Sequence, residues 1–380
     1  MSSKAALNLV PKLYQEDIFS AIRERDFGQT QTTGPLVVEF DPTTACNLGC
    51  PECISGSLLG AGGFSSSTID DILDSFVQLG VQAVVLIGGG EPMMHPRIDH
   101  IINYLYDHNI HIGITTNGLF IESHLDLISS RVSWLRVSVD ASCDGTFRQV
   151  RPDKQGNSQF GNLLRQMQLL GSFPGRTCSF GYSMLLLTRI NDDSGEIEFT
   201  NAEEIFEAAS LAKSLGCDYF EVKPSFDTNH FHIMQPSQLM MVAKAQLERA
   251  QIELTSDDFS ILTATNLFDI LECNPVEQPK SYDKCPVTRL RTLVSPSGVF
   301  PCPYFRGDVS HSYGNPMHAS LKDIWNSSQM EDTLKALNPS KDCRFHCIRH
   351  NTNLELFSLS EKDQQQLSKI KLVQPYNRFF

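Results

Sequence analysis

The sequence predicts an α/β fold: a partial (β/α)6 parallel barrel followed by a small C-terminal α+β domain. Three observations predict it. Short β-type runs alternate with helix-period patterns from about residue 36 to residue 224, the pattern of repeated strand–helix units. One run, Val84-Val-Leu-Ile87, is apolar throughout, as a strand covered on both faces of a parallel sheet must be. After Pro224 the alternation stops, and the last hundred or so residues carry short strand and turn patterns with four grouped cysteines. Six units are fewer than the eight of a closed barrel.

The first predicted strand is 36–41, where period-2 alternation sets Glu39 and Asp41 on one face. The helix after it carries Ile69, Ile72, Leu73 and Phe76 as one stripe, with Ser67 and Asp70 as its opening signal. Strand 84–87 leads to helix 97–108, strand 110–115 and helix 121–129. Strand 134–139, helix 160–170, strand 179–187, helix 202–215 and strand 219–223 complete the series. In the fourth strand Arg136, Ser138 and Asp140 share a face; in the sixth, Tyr219, Glu221 and Lys223 do. Charges on an inward face are costly unless paired or functional. Glu221 and Lys223 therefore either pair with each other or touch substrate, and they are the candidate catalytic residues. A loop with Asp227, Asn229 and His230 then leads to a helical pattern at 238–249 and a short strand at 259–263.

Composition narrows the class. The chain has 380 residues, 41% hydrophobic and 20% charged, which suits a globular fold with a sizeable core. Its net charge of −13 lacks the field that gathers nucleic acid or anionic lipid. No apolar run approaches the ~20 residues of a membrane helix, and the start is too short and broken for a secretory signal. A cytoplasmic location follows, with neither a membrane nor a nucleic-acid partner. Eleven cysteines, an odd number in a chain without an export signal, read as metal ligands rather than disulfides. The expected divisions are an N-terminal extension (1–35), the core (36–230), a helical connector (231–275), a second cysteine-bearing domain (276–355) and a tail (356–380).

The first cysteine set is Cys46-Asn-Leu-Gly-Cys50-Pro-Glu-Cys53, on the loop after the first strand. In an α/β sheet that loop lies at the carboxyl ends of the strands, where ligands bind. Three thiolates this close reach three corners of a [4Fe–4S] cubane and leave the fourth iron open to another chelator. Zinc is the alternative, but structural zinc wants four ligands, and no histidine follows closely behind Cys53.

These residues resemble the radical S-adenosylmethionine (SAM) enzymes. The resemblance implies a partial barrel whose open iron binds the amino and carboxylate groups of SAM. It also implies that an electron from the cluster cleaves SAM to a 5′-deoxyadenosyl radical, which abstracts a substrate hydrogen. Gly88-Gly89-Gly90-Glu91-Pro92 resembles the family's GGEP motif, with glycines for close backbone approach and Glu91 to accept from the SAM ammonium. Thr115-Thr-Asn117-Gly118 resembles a frequent family TNG. Ser138-Val-Asp140 with Val150-Arg151-Pro152 resembles the stretch in which a serine and a later arginine contact SAM ribose and carboxylate. Arg148 rivals Arg151 for that place. The family's usual aromatic residue before the third cysteine is replaced by Glu52.

The second set is Cys285, Cys302, Cys343 and Cys347, with 16, 40 and 3 residues between them. Four cysteines fully ligate one more [4Fe–4S] cluster, and four thiolates also suit zinc. The surroundings, Ser295-Pro-Ser-Gly298 before Cys302, Tyr313-Gly-Asn315 and Ser320-Leu-Lys-Asp-Ile-Trp325, closely resemble the SPASM/Twitch extension of radical SAM enzymes. The four-cysteine count implies the shorter, one-cluster type. Cys143, Cys178, Cys217 and Cys273 read as small buried hydrophobes.

The resemblance implies two [4Fe–4S] clusters, SAM, and a flavodoxin or ferredoxin-type reductant. A saturated auxiliary cluster suits electron acceptance, and only 45 residues precede Cys46, too few for a peptide-recognition domain. The expected reaction is therefore oxidation of a small polar alcohol or sugar-like substrate. The alternatives are peptide modification of the maturase or sulfatase-maturase kind, redox-neutral epimerisation or dehydration of a sugar, and a non-catalytic iron–sulfur carrier or scaffold.

Overall fold

The computed structural model describes residues 9–24, 34–191, 193–225, 237–263, 280–343, 347–373 and 378–379. The chain divides into two compact units interleaved along the sequence. The first draws on 8–44, 60–113 and 277–380; the second draws on 45–59 and 114–276. The strands, in chain order, are β1 (Val37–Phe40), β2 (Ala83–Leu86), β3 (His111–Thr116), β4 (Trp134–Ser138), β5 (Ser179–Leu186), β6 (Thr188–Ile190), β7 (Ile197–Thr200), β8 (Tyr219–Pro224), β9 (Ser260–Thr263), β10 (Arg291–Ser295) and β11 (Gly298–Phe300). β3 contains the point at which the chain passes from one unit to the other.

In the first unit β1 pairs in parallel with β2 on one side and β10 on the other, so that Phe40 stands opposite both Leu86 and Val294. Every residue of β1 and β2 is buried, as the unbroken apolar run of β2 requires. The expected hairpin before Cys302 is β10–β11, closed by pairing of Ser295 with Gly298. Gly298 has φ of +144°, and a Cβ there would come within 2.8 Å of the Ser312 hydroxyl. Asn315 donates to the Pro296 carbonyl at 3.2 Å, and Trp325 meets Tyr313 edge-on at 6.3 Å. The predicted motif residues here are thus the packing around the hairpin. Short helices Leu321–Trp325, Ser328–Ala336 and Pro339–Asp342 follow, then the longer His350–Ser360, giving the expected α+β character.

In the second unit β4 pairs with β5, β5 with β8, and β8 with β9, all in parallel. Leu135 and Val137 are fully buried while Trp134, Arg136 and Ser138 are half-buried, the alternation expected of β4. The Tyr219 ring lies over β5 where Gly181 leaves room: a Cβ at 181 would sit 2.0 Å from the ring. Three features were not predicted. The helix Asp144–Val150 is too short to show a period. The β6–β7 hairpin forms a separate two-stranded sheet. Two expected helices open instead with 3-10 turns, Glu122–His124 and Ala202–Glu204. The loop with Asp227, Asn229 and His230, and Cys273, lie outside the described residues. No helix among the described residues is long and apolar enough to cross a membrane.

The helix of the first unit expected to open at Ser67 runs Ser66–Leu79 and is capped by Ser65. Ser65 is extended (φ −67°, ψ 164°) and its hydroxyl accepts from the Thr68 N–H at 3.1 Å. Ser67 already lies inside the first turn. Ile69, Ile72, Leu73 and Phe76 are at most 1% exposed, so the predicted stripe is the buried face. Removing a cap hydroxyl costs a helix roughly 1 kcal/mol. Ser65→Ala should therefore lower stability by about that amount, and Ser67→Ala by clearly less, in denaturant unfolding of the two variants.

Candidate active site

The second unit holds the first cysteine set, and four contacts fix its loop. Gly49 donates its N–H to the Pro152 carbonyl at 2.8 Å, and Leu48 forms an antiparallel bridge with Asp153. Asn117 donates to the Asn47 side chain at 2.7 Å while its own oxygen accepts from the Leu119 N–H at 3.1 Å. Glu52 is ion-paired to Arg189 at 2.5 Å. Asn117 is thus brought to the cysteine loop. Asn47 and Arg189 were missed; nothing in their sequence surroundings marks them. Arg189 also packs its guanidinium over the Phe199 ring at 4.8 Å, so the β6–β7 hairpin braces the loop at Glu52.

Arg151 lies at the centre. Its Nε and Nη2 donate to one oxygen of Asp140 at 2.8 and 2.5 Å, and Nη1 points to the Cys50 sulfur at 3.9 Å. Arg148, the rival, is taken by the Gly156 carbonyl at 3.0 Å on an exposed surface. Asp140 has φ of +61°, a left-handed conformation that costs a non-glycine residue of order 1 kcal/mol. It is held there from several sides. The Leu185 N–H donates to its side chain at 2.7 Å, and Asn201 donates to its carbonyl at 2.9 Å. Ser138, half-buried, ends β4 opposite Ser183.

On the same strands, Arg136 donates to Glu221 at 3.2 Å and to the Thr115 hydroxyl at 3.2 Å. Lys223 stands 3.6 Å from Glu221. Glu221 and Lys223 thus do pair, with Arg136 as a third member that parity had placed on the shared face. Burial alone would push the Glu221 carboxyl up, but Arg136 and Lys223 hold it below the usual carboxylate range. Burial, reinforced by Arg136, brings Lys223 down to about 8 against the pull of Glu221.

The glycine motif belongs to the first unit. A Cβ at Gly88 would lie 1.6 Å from the Gly90 carbonyl oxygen, so this turn tolerates no side chain there. A Cβ at Gly89 would lie 3.5 Å from an Asp41 oxygen, and the Gly89 N–H donates to Asp41. Glu91 is 2% exposed and caps the 3-10 turn Pro92–Met94, accepting from the Met93 N–H at 3.1 Å. The cap fixes the direction of its carboxylate. Glu39 and Asp41, the predicted charged pair of β1, are both buried and both matched by arginines. Glu39 meets Arg291 at 2.5 Å and Arg349 at 2.9 Å, and Asp41 meets Arg306 at 2.6 Å. Burial pushes Asp41 up to about 6 despite Arg306.

The second cysteine set also lies in the first unit. Cys343 packs in a small core with Leu293, Phe300, Phe305 and Leu337, against which Cys285 and Cys302 lie. Burial raises the pKa of all four thiols, that of Cys285 to about 12. The thiolates raise one another further: Cys302 feels Cys347, Cys285 and Cys343. Each of three sulfurs has a backbone N–H aimed at it, from Thr288 to Cys285, Tyr304 to Cys302 and Arg349 to Cys347. Asn353, fully buried, donates to the Cys285 sulfur at 3.3 Å. Free thiols have no use for such a shell; metal-bound thiolates do, because the donors offset their charge. Among the described residues no three His, Cys, Asp or Glu side chains converge on the span of a single ion, and a cubane needs a wider set. The first set fits the same way: burial brings Cys50 up to about 11 against Arg151, with Cys53 and Cys46 adding to the rise. Of the isolated cysteines, Cys178 and Cys217 are buried as expected. Cys143 is exposed, because it opens the short helix at Asp144 rather than lying on a core face.

Comparison with known proteins places these features. Residues 40–194 match the radical SAM superfamily, and residues 285–348 match SPASM, an iron–sulfur cluster-binding domain. The chain is similar to the mycofactocin maturase MftC of Mycobacterium tuberculosis, 24% identical over 303 residues, 78% of this chain and 71% of that protein. It is similar to the antilisterial bacteriocin subtilosin biosynthesis protein AlbA of Bacillus subtilis, 24% identical over 334 residues, 85% of this chain and 66% of that protein. It shares its fold with Streptococcus suis SuiB, solved bound to the precursor peptide SuiA, with a TM-score of 0.58 at 17% identity over 80% of this chain and 67% of that one. The two matched regions contain the three-cysteine and four-cysteine sets respectively, and they imply SAM and two [4Fe–4S] clusters as cofactors. The chain is a radical SAM enzyme with a C-terminal SPASM-type cluster-binding domain.

Proposed function

We propose that this enzyme modifies a peptide. The observation that carries the reading is the match to a mycofactocin maturase over 78% of the chain. The similarity to a bacteriocin-biosynthesis protein over 85% of the chain supports it. This reading displaces oxidation of a small polar alcohol, which rested on a saturated four-cysteine cluster and on the number of residues before Cys46; the similarity to maturation and biosynthesis proteins over most of the chain favours the peptide alternative.

When bound, the cofactors supply one-electron cleavage of SAM and, with it, a carbon radical able to take a hydrogen atom from substrate. The chain's own residues supply the rest. Cys46, Cys50 and Cys53 hold the radical cluster, and Cys285, Cys302, Cys343 and Cys347 hold the auxiliary one. Arg151, oriented by Asp140, suits the SAM carboxylate because its planar fork matches two oxygens. Asn117, Ser138, Gly89, Gly90 and Glu91 serve the remaining SAM contacts. Glu221, Lys223 and Arg136 form the substrate contact. Two cations against one carboxylate leave an excess of positive charge, which suits a carboxylate such as a peptide carries. Lys223 loses its charge as pH rises through about 8, so peptide affinity should weaken above that pH. A flavodoxin or ferredoxin-type protein delivers the electron.

Anaerobically reconstituted protein should hold about eight iron atoms per chain, two cubanes, and the Cys46/Cys50/Cys53→Ala triple variant about four. Zinc at the four-cysteine set by elemental analysis would overturn the auxiliary-cluster assignment. Arg151→Met and Glu91→Ala should each weaken SAM binding about tenfold or more with iron retained. Arg148→Met should leave SAM binding within about twofold, because its guanidinium is spent on the Gly156 carbonyl.

The substrate test is anaerobic incubation with SAM, dithionite and short peptides encoded beside the gene, following 5′-deoxyadenosine and peptide mass. A mass change in a peptide, lost in the triple cysteine variant and weakened in KM by Lys223→Met, is the expected result. Turnover of a small alcohol to a product two mass units lighter, with every peptide inert, would overturn the reading.

A further inference from the structure

The end of β1 joins two parts of the first unit that lie far apart in the sequence. Asp41 follows Phe40, the last residue of β1, and is fully buried. Arg306, 265 residues away, grips both of its oxygens: Nε donates to Oδ2 at 2.6 Å and Nη2 to Oδ1 at 3.2 Å. The Arg306 side chain is only 10% exposed, so this is a buried, two-pronged ion pair, the strong form of such a contact. Arg306 stands directly after the 3-10 turn Pro303–Phe305, which follows Cys302. The Phe305 N–H donates to the Cys302 carbonyl at 3.1 Å, and the Arg306 N–H to the Pro303 carbonyl at 3.2 Å. Short-range backbone bonds therefore fix Arg306 relative to Cys302.

The same pair meets the glycine motif. Phe40 stands opposite Leu86, and its carbonyl accepts from the Ile87 N–H at 3.1 Å. β1 and β2 thus end side by side, which brings Asp41 level with the start of Gly88-Gly89-Gly90. A Cβ at Gly89 would lie 3.5 Å from Asp41 Oδ2 and 3.8 Å from Arg306 Cδ. Gly89 therefore packs against both members of the pair. Three successive glycines have no side chains with which to hold their own turn, and their backbone is the most permissive there is. Such a turn keeps one shape only if its surroundings impose it, and Glu91 follows it directly.

We propose that Arg306 is a positioning residue for SAM. By gripping Asp41 it holds the glycine turn, and with it Gly89, Gly90 and Glu91, in the arrangement that contacts SAM. It also ties that arrangement to the turn that carries Cys302, so the segment bearing an auxiliary-cluster cysteine helps to shape the SAM site. Arg306 acts through Asp41 and Gly89. Small displacements of positioning groups are felt strongly at a binding site, and a buried carboxylate without its guanidinium does not keep its place. The inference rests on the reading that the glycine motif contacts SAM. It makes no use of the substrate, so an inert peptide assay leaves it standing.

The test is equilibrium dialysis of labelled SAM against anaerobically reconstituted holoenzyme, with iron content and thermal unfolding measured on the same samples. Arg306→Met should weaken SAM binding about tenfold, roughly the loss of one well-placed contact, with iron retained. Arg306→Lys keeps the charge without the fork and should fall between Arg306→Met and wild type. The double variant Asp41→Leu/Arg306→Met strands neither charge; it should fold and bind SAM as weakly as Arg306→Met. Arg289 is the control. It grips both oxygens of Glu331 from the turn after Cys285, and Glu331 lies on the helix Ser328–Ala336 rather than on β1. Arg289→Met should lower the unfolding temperature but leave SAM binding within about twofold. Unchanged affinity in Arg306→Met and the double variant, with Glu91→Ala weakened, overturns the proposal. Unchanged affinity in Glu91→Ala as well overturns the SAM reading of the glycine motif and this proposal with it. An equal loss in Arg289→Met overturns the proposal, since the effect would then be general destabilisation. Loss of iron from both Arg306→Lys and the double variant overturns it too, because the pair would then only hold the fold.

Discussion

One ion pair carries the second unit's site: Arg151 with Asp140 at 2.5 Å, both largely buried. Arg151 reaches the Cys50 sulfur, and the residues just after it, Pro152 and Asp153, pair with Leu48 and Gly49 inside the cysteine loop. Asp140 in turn is bound to β5 through Leu185 and to Asn201. The position of the cysteine loop is therefore set by the end of β4. Breaking such a buried pair costs roughly 3–5 kcal/mol, because the surviving charge is stranded. That dependence explains how a left-handed backbone at Asp140 persists. The hydrogen bonds that need this conformation outnumber the one torsion it strains.

The two cysteine sets are prepared by different means. The three-cysteine loop is held by side chains from distant parts of the unit: Asn117, Arg151 and Arg189. The four-cysteine set is served mostly by its own backbone, through N–H groups two or three residues after three of the cysteines, with Asn353 as a side-chain donor among the described residues. A loop that must admit a second ligand at the open iron is braced from outside. A set that closes fully around its cluster can solvate its thiolates locally.

Much of this was legible in the sequence, and for identifiable reasons. Cysteine spacing is a local property, so both cysteine sets could be read directly. The apolar run of β2 and the alternation of β4 reflect burial on two faces and on one, and both are present. Parity offered the Glu221–Lys223 pair as one of two alternatives, but Arg136 as its third member came from the fold. What escaped depends on tertiary placement. Ser65 rather than Ser67 caps its helix because Ser65 is the extended residue just before the first turn, while Ser67 already lies inside it. Asn47, Arg189, Asn353 and Arg349 carry no sequence signal, since their roles arise from segments brought together only by folding. Cys143 is exposed because a short helix without a readable period begins beside it. Glu52 looked like a departure at the third cysteine, and in the fold it is the partner of Arg189.

The neighbours of β1 differ greatly in their sequence distance. β2 follows it closely, but β10 lies far along the chain: Glu39 and Arg291 are 252 residues apart. A ribosome moving at roughly 5–20 residues per second needs about ten to fifty seconds to bridge that gap. For that time β1 has an unpaired edge and Glu39 lacks both its arginines, while the first three cysteines, a few residues downstream, have already been made. An open apolar strand edge invites pairing with other chains, and pairing this distant in sequence is slow to form. The nascent chain thus spends most of its synthesis without the strand that completes its first unit. The pace of translation and the shielding of that edge bear on its yield as directly as the supply of iron.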